Sequence, residues 1–187
     1  MTVLLRGSVA ICALLAFATD GWAHRLDEYL QATRVAVSTD RVEVSLDLTP
    51  GVAIAQQLLG VIDKNRDRQV SKEEIAAFAR QVLKDIQVGL NEKSLNLSLV
   101  DASFPALKEI EGGLGVIRIK ATAPVGPLDA GSHRLHLTNT HLPAISVYLV
   151  NALVPKNAAI KITKQSRDEL QKSYRLDFDV ALPTLQR

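Results

Sequence analysis

The sequence predicts a mainly β fold, an antiparallel β-sandwich that carries one inserted helical hairpin. Three observations lead to this prediction. Apolar residues alternate with polar ones in residues 30–48 and 87–181, turn-forming glycines and prolines divide these regions into short strands, and residues 49–86 follow helical spacing instead. No linker-like composition surrounds the helical segment, so we expect it to pack against the sandwich.

The alternating regions accommodate about eight short strands. The first two are predicted on either side of the turn Thr39-Asp40, with Val35 before it and Val42 and Val44 after it. The other strands are predicted within residues 95–99, 116–119, 134–138, 145–150, 160–163 and 174–180. Many short strands separated by turn residues are typical of an antiparallel β-sandwich.

Within residues 49–86, apolar residues recur every three or four positions, which indicates two helices. Thr49 is predicted to cap a first helix that starts at Pro50, because proline is well tolerated in a first turn. A second helix is predicted to begin near Ser71. The apolar faces comprise Ala55, Leu58, Leu59 and Ile62 in the first helix and Ile75, Phe78, Ala79, Val82 and Ile86 in the second.

Residues 1–23 have the three parts of a secretory signal peptide. Arg6 supplies a positive charge, residues 9–18 form an apolar run, and Gly21 and Ala23 place small residues at a cleavage site before His24. A membrane span needs about 20 apolar residues, which this run does not reach; an uncleaved anchor is the alternative. Cleavage would leave the sandwich domain, residues 24–187, in the periplasm or outside the cell.

Composition excludes two classes of protein. The 187 residues carry a net charge of only +2, so we expect no nucleic-acid partner. The single cysteine, Cys12, lies in the predicted signal peptide, so the exported chain would have no disulfide framework.

The connection between the two predicted helices, residues 63–74, resembles the calcium-binding loop of an EF-hand. Calcium takes oxygen ligands, which an EF-hand supplies from loop positions 1, 3, 5, 7, 9 and 12. The residues at these positions are Asp63, Asn65, Asp67, Gln69, Ser71 and Glu74. In such a loop, Gln69 contributes its backbone carbonyl, Ser71 a direct or water-mediated contact, and Glu74 a bidentate carboxylate.

Two features of this loop predict weak calcium binding. Arg68 stands at the sixth position, where EF-hands have glycine for a sharp turn, and a non-glycine residue with φ > 0 costs about 1–2 kcal/mol. The loop also carries as many basic as acidic side chains: Lys64, Arg66, Arg68 and Lys72 beside Asp63, Asp67, Glu73 and Glu74. We expect a dissociation constant of about 10⁻⁴–10⁻³ M, as in extracellular modules.

A loop without metal is the alternative. Ser71 and Glu74 also match the capping-box pattern, which starts a helix without any ion, and Asp and Asn favour turns. Magnesium suits the loop less well than calcium because it demands a tight octahedral shell. No second segment resembles the loop, so a structural role is predicted rather than the switching of paired EF-hands.

The histidines suggest a second metal site. After cleavage, His24 would be the N-terminal residue, and its α-amine and imidazole could chelate a transition metal, with His133, His136 or His141 as a further ligand. His133 and His136 are an odd number of residues apart, so on one strand they would face opposite sides. Histidines at the surface or at the edge of the core are the alternative.

The sequence contains no recognisable catalytic arrangement. The serines lack a nucleophile-elbow context, and no glycine-rich phosphate loop is present. Acidic pairs such as Asp27-Glu28 and Asp168-Glu169 are typical of solvated surfaces. We therefore expect a protein that is not an enzyme, with an enzyme of unrevealed site as the alternative.

Four segments together resemble a bacterial family: AHRLDEYLQA at residues 23–32, LTPGV at residues 48–52, the loop 63–74, and HLPAISVYLVNA at residues 141–152. They are similar to the exported N-terminal domain of proteins whose C-terminal part is a HupE/UreJ-type membrane domain. Membrane domains of that type are associated with nickel or cobalt handling. The resemblance therefore implies at most an exported accessory domain, either standalone or cut from a longer protein, with a membrane protein as its candidate partner.

Taken together, the sequence predicts an exported calcium-binding domain with a single EF-hand, a structural or interaction role and calcium as its cofactor. The alternative is an accessory domain that binds copper, nickel or cobalt through His24 and is linked to a membrane metal transporter. The sequence makes no prediction of the oligomeric state.

Overall fold

The computed structural model describes residues 27–181. The predicted signal peptide and His24 lie outside the described residues. The described chain forms ten strands and three helices, so the prediction of a mainly β fold with a helical segment is confirmed.

The strands are β1 (Tyr29–Val37), β2 (Arg41–Pro50), β3 (Ile86–Leu90), β4 (Lys93–Leu95), β5 (Ser98–Ser103), β6 (Ile117–Pro124), β7 (Gly131–Asn139), β8 (Ser146–Ala152), β9 (Ile160–Arg167) and β10 (Ser173–Val180). The helices are α1 (Val52–Ile62), α2 (Lys72–Lys84) and α3 (Leu107–Glu111).

Two five-stranded sheets account for all of these strands. The first sheet has the order β5-β6-β2-β1-β8, and the second has the order β4-β3-β7-β10-β9. Neighbouring strands are antiparallel, as predicted, with one exception: β1 and β8 run parallel. Helices α1 and α2 occupy the crossover from β2 in the first sheet to β3 in the second.

The hairpin of β1 and β2 shows how the alternating pattern produces a sheet. Val35 pairs with Val44, and both side chains are fully buried on the inner face. The turn between the strands is closed by Ser38, whose N–H donates to the carbonyl of Arg41 over 2.9 Å. Period-2 alternation thus buries one face of each strand. The other face is polar in β2, whereas in β1 it is mostly aliphatic, with Arg34 as its polar residue.

One contiguous hydrophobic core includes residues of both sheets and of α1 and α2. The helices contribute Ile54, Ala55, Leu58 and Ile62 from α1 and Ile75, Phe78, Ala79, Val82 and Leu83 from α2. The predicted apolar faces are therefore confirmed with three exceptions. Leu59 is only half-buried, Ile54 and Leu83 join the core, and Ile86 lies in β3 rather than in α2. No helix within residues 27–181 is long and apolar enough to span a membrane.

The structure divides the strand predicted within residues 95–99. Leu95 ends β4 in the second sheet, and Leu99 belongs to β5 in the first sheet, so the chain crosses between the sheets at Asn96 and Leu97. All three leucines pack against the same core. Their common spacing therefore reflects a shared core rather than a single strand.

The bounds of the helical segment also differ from the prediction. Pro50 is the last residue of β2, paired with Tyr29, and the N-cap of α1 is Gly51 instead of Thr49. Ile86 is the first residue of β3, because α2 ends at Lys84. In both places, pairing with a neighbouring strand overrides the local helical pattern.

Candidate metal centre

The two helices fix both ends of the predicted calcium loop. Asp63 is the C-cap of α1, and its N–H donates to the carbonyl of Leu59 over 2.9 Å. Ser71 is the N-cap of α2, where the sequence predicted the second helix to begin. Within the loop, half-buried Val70 packs against the core. The loop is thus a tight connection anchored at three points.

The first three predicted ligands lie on one side of this connection. The N–H of Asp67 donates both to Oδ1 of Asp63 over 3.2 Å and to Oδ1 of Asn65 over 3.0 Å. The amide nitrogen of Asn65 in turn donates to Oδ2 of Asp67 over 2.9 Å. Side-chain oxygens of three predicted ligands therefore lie around the same backbone turn.

Glu74 reaches back from α2 across the whole loop. Its Oε1 accepts from the N–H of Lys64 over 2.8 Å, and its Oε2 accepts from the N–H of Ser71 over 3.0 Å. The hydroxyl of Ser71 donates to the same Oε2 over 2.8 Å. Because Lys64 directly follows Asp63, the carboxylate of the last predicted ligand lies beside the start of the loop.

These contacts also form a complete capping box. Ser71 accepts from the N–H of Glu74, and the Glu74 carboxylate accepts from the N–H of Ser71. Hydrogen bonds from the backbone N–H and then the hydroxyl of Ser71 hold the pKa of the Glu74 carboxyl below its ordinary value. Glu74 is therefore a preorganised anion, the form in which a carboxylate binds calcium.

The backbone of the loop has the sharp turn that the sequence predicted. Arg68 has φ 63°, and Arg66 has φ 61°, so both lie in the left-handed region. Two hydrogen bonds hold these turns: Arg68 N–H to Oδ2 of Asp63 over 2.9 Å, and Gln69 N–H to Oδ1 of Asp67 over 2.8 Å. The predicted positive φ at the usual glycine position is thus observed.

The side chain of Arg68 points away from the predicted ligands. Its Nη2 lies 2.9 Å from Oε1 of Glu111 at the end of α3, a helix that the sequence did not predict. This ion pair engages one of the four basic charges of the loop with a carboxylate outside it. The Arg68 side chain is 73% exposed, so the pair contributes little to stability.

Among residues 27–181, no group of three or more histidine, cysteine, aspartate and glutamate side chains is arranged to hold a metal ion. The carboxylates of Asp63, Asp67 and Glu74 therefore do not form such a group as they lie here. The predicted set adds to them an amide oxygen, a hydroxyl and a backbone carbonyl. Hard oxygen donors of these mixed types suit calcium rather than zinc or copper.

Two of the described histidines occupy opposite faces of β7. His133 is half-buried and stacks on Phe178 with ring centroids 5.5 Å apart, whereas His136 is exposed on the other face. Nδ1 of His133 lies 2.8 Å from the amide nitrogen of Asn91, and Nε2 lies 2.8 Å from the carbonyl of Asp129. Both nitrogens of His133 therefore already have partners.

His141 is buried, with 5% of its surface exposed. Its Nδ1 lies 2.7 Å from Oδ2 of Asp85, the C-cap residue of α2. Within the described chain, its Nε2 and the hydroxyl of fully buried Tyr29 have no hydrogen-bond partner. The two rings meet edge to face at 6.0 Å, and burial raises the pKa of the Tyr29 phenol.

A polar network surrounds the backbone of His141. Its carbonyl accepts from the amide of Gln31 over 2.8 Å and from the hydroxyl of Tyr148 over 2.9 Å. Its N–H donates to Oδ1 of Asn139, whose amide nitrogen donates to Oε1 of Gln31. These bonds fix the β7–β8 connection beside the C-terminus of α2, where Asp85 meets the imidazole.

Comparison of the chain with protein-family models, curated proteins and solved structures found no match.

Proposed function

We propose that this protein is an exported calcium-binding domain in which one EF-hand, formed by α1, the loop 63–74 and α2, stabilises a β-sandwich. The domain has a structural or interaction role and is not an enzyme. The observation that carries the proposal is the hydrogen bond from the N–H of Lys64 to the carboxylate of Glu74 across the loop. This bond places the carboxylate beside the turn that Asp63, Asn65 and Asp67 form with their side-chain oxygens.

The fold explains how bound calcium would stabilise the folded domain. α1 and α2 contribute side chains to the core that both sheets share, which also supports the sandwich arrangement. An ion held between Asp63 at the end of α1 and Glu74 in the first turn of α2 would fix the angle between these helices. Calcium bound only by the folded state stabilises it by mass action, with about 2.7 kcal/mol at 100 times the dissociation constant.

Calorimetric titration of the purified protein tests the proposal. We expect one calcium site with a dissociation constant of about 10⁻⁴–10⁻³ M, and weaker binding of magnesium. Absence of calcium binding at tens of times these concentrations would refute the site, and sub-micromolar binding would refute the expected weakness.

A second candidate function is transition-metal binding through His24, which lies outside the described residues. The observation that favours it is the imidazole of His141, whose Nδ1 is oriented by Asp85, since metal-binding histidines commonly donate their other nitrogen to a carboxylate. Copper or nickel titration of protein that begins at His24 tests this candidate. Binding that disappears in His24→Ala while calcium binding persists would support it, and no uptake by the wild-type chain would exclude it.

A further inference from the structure

A groove runs between α1 and α2, and we call it the hairpin groove. Leu58, Ile62 and Phe78 form its floor and are at most 7% exposed, whereas Val61 and Leu142 stand at its rim with 51% and 39% exposed. The cavity has a volume of about 630 Å³. This volume lies within the range of about 300–1,000 Å³ that small-molecule sites have.

The groove is long. Glu73, Ala77, Gln81 and Asp85 line it at four-residue intervals, so it follows one face of α2 from the first turn to the cap. At 1.5 Å per residue, this face is about 18 Å long. Its shape therefore suits an extended ligand rather than a compact one.

The far end of the groove presents an available carboxylate. Oδ2 of Asp85 accepts from Nδ1 of His141, but Oδ1 has no hydrogen bond within residues 27–181. The Asp85 side chain is 36% exposed, although it borders the buried imidazole of His141. A donor group on a ligand could reach Oδ1 without displacing an existing partner.

The charges around the groove favour a cation. Its lining includes three carboxylates, those of Glu73, Glu74 and Asp85, and a single ammonium group, that of Lys64. It also includes the imidazole of His141, whose Nδ1 lies 2.7 Å from Oδ2 of Asp85. Glu73 has no hydrogen bond or ion pair within the described part of the chain, so its charge is uncompensated by a direct contact. A ligand with a carboxylate would be repelled by these groups, whereas an ammonium group would be attracted.

We propose that the hairpin groove binds a small organic cation with an extended apolar body. The ammonium group of the ligand contacts Oδ1 of Asp85, and its apolar body covers the exposed side chains of Val61 and Leu142 above the floor of the groove. This site is separate from the predicted calcium ligands except at Glu74, which lines both.

Three linear probes with eight carbon atoms each test the chemistry of the site: n-octylamine, octan-1-ol and octanoate. Each is titrated into the purified protein by calorimetry, with and without calcium, so that failure of the groove is distinguishable from failure of the calcium loop. We expect octylamine to bind about tenfold more tightly than octanol, a ratio that corresponds to about 1.4 kcal/mol. Octanoate should bind more weakly than octanol.

Two variants locate the binding. Asp85→Asn keeps an acceptor for His141 but removes the charge, so it should abolish the preference for octylamine over octanol, whereas Asp101→Asn on exposed β5 should not. Ala77→Leu narrows the groove and should weaken all three probes, whereas Ala53→Leu on the exposed face of α1 should leave them unchanged. Unchanged melting temperatures of the four variants without ligand confirm that each is folded.

Several outcomes would overturn the proposal. The proposal is wrong if octylamine does not bind, or if octanoate binds as tightly as octylamine. It is also wrong if the Asp85→Asn variant still prefers octylamine to octanol. A concentration-dependent dimer in sedimentation, dissociated by Ala77→Leu but not by octylamine, would assign the groove to a second copy of the chain instead.

Discussion

Glu74 serves two structures at once, the capping box of α2 and the predicted metal site. Its carboxylate accepts from Ser71 at the start of the helix and from Lys64 at the start of the loop. From the sequence alone, these two roles were alternatives, because the same S-x-x-E pattern predicts either one. The geometry makes them compatible, so a substitution that separates them tests whether Glu74 is a calcium ligand.

Glu74→Gln is that substitution. Glutamine also completes a capping box, so the stability of α2 without calcium should change little. The variant loses the anionic bidentate ligand, and we expect its calcium affinity to fall at least tenfold. Thermal melting with and without calcium measures both effects, and Glu73→Gln, one residue away, is the matched control.

Ser71→Ala provides the complementary test. It removes the N-cap and should destabilise the calcium-free protein by about 1 kcal/mol.

If Glu74→Gln leaves the calcium-dependent rise in melting temperature intact, Glu74 is only a helix cap and the proposed ligand set is wrong.

Arg68 limits the predicted affinity through both its backbone and its charge. Its φ of 63° is costly for any residue with a Cβ, and its positive charge lies in the loop that would hold the cation. We expect Arg68→Gly to tighten calcium binding and to stabilise the calcium-free loop by about 1 kcal/mol.

Arg68→Gln separates the two causes, because it removes the charge and keeps the strained backbone. Calorimetry should therefore rank calcium affinity as Arg68→Gly, then Arg68→Gln, then wild type. Weaker binding by Arg68→Gly than by the wild type would show that the ion pair with Glu111 orders the loop and is needed for binding.

At the scale of secondary-structure elements, the sequence correctly predicted the features that follow from local periodicity and from helix-capping residues. The apolar faces of α1 and α2, the Ser71 cap and the β1–β2 hairpin follow from local pattern, and the structure confirms them. The positive φ at Arg68 was also predictable, since it follows from the position of the residue in the loop.

The predictions from sequence were wrong where pairing between segments distant in the chain determines the bounds of an element. Pro50 pairs with Tyr29 and joins β2, and Ile86 pairs with Asn139 and begins β3, although both fit a helical pattern locally. The crossover at Asn96 and the contact between Asp85 and His141 likewise depend on residues far apart in the chain. No single-sequence signal carries such information.

Two glycines should respond in opposite directions to alanine. In α1, a Cβ at Gly60 would meet no atom within 4 Å, so Gly60→Ala should stabilise the protein by about 1 kcal/mol through helix propensity. A Cβ at Gly115 would lie 2.7 Å from the backbone nitrogen of Ile110 in α3, so Gly115→Ala should destabilise it by about 1–3 kcal/mol. Chemical denaturation measures both, and equal effects would contradict the described packing.

At the scale of the whole molecule, we expect low pH to destabilise the folded protein. The Arg134 guanidinium, whose Nε donates to Oδ1 of Asp177, holds the pKa of that carboxyl below its ordinary value. Because the folded-state pKa is lowered, the stabilisation is present above the unfolded pKa of about 3.9 and is lost as the pH falls through the folded value. Melting temperature should therefore decline below about pH 4.

Asp177→Asn should flatten part of this decline, whereas Asp101→Asn, at an exposed position without a described side-chain partner, should not. The effect will be modest because the Arg134 side chain is 60% exposed. Identical pH profiles for the wild type and Asp177→Asn would show that this ion pair does not link folding to pH.

The central claim, a weak calcium site in the loop 63–74, is tested most directly by calcium titration followed through backbone amide NMR shifts. The amides of Lys64 and Arg68 donate to carboxylate oxygens of Glu74 and Asp63, so an ion that binds these oxygens must change both signals. We predict the largest shifts within residues 63–74, with saturation at a dissociation constant of about 10⁻⁴–10⁻³ M. Loop amides that do not respond to calcium, or larger shifts elsewhere in the chain, would contradict the account.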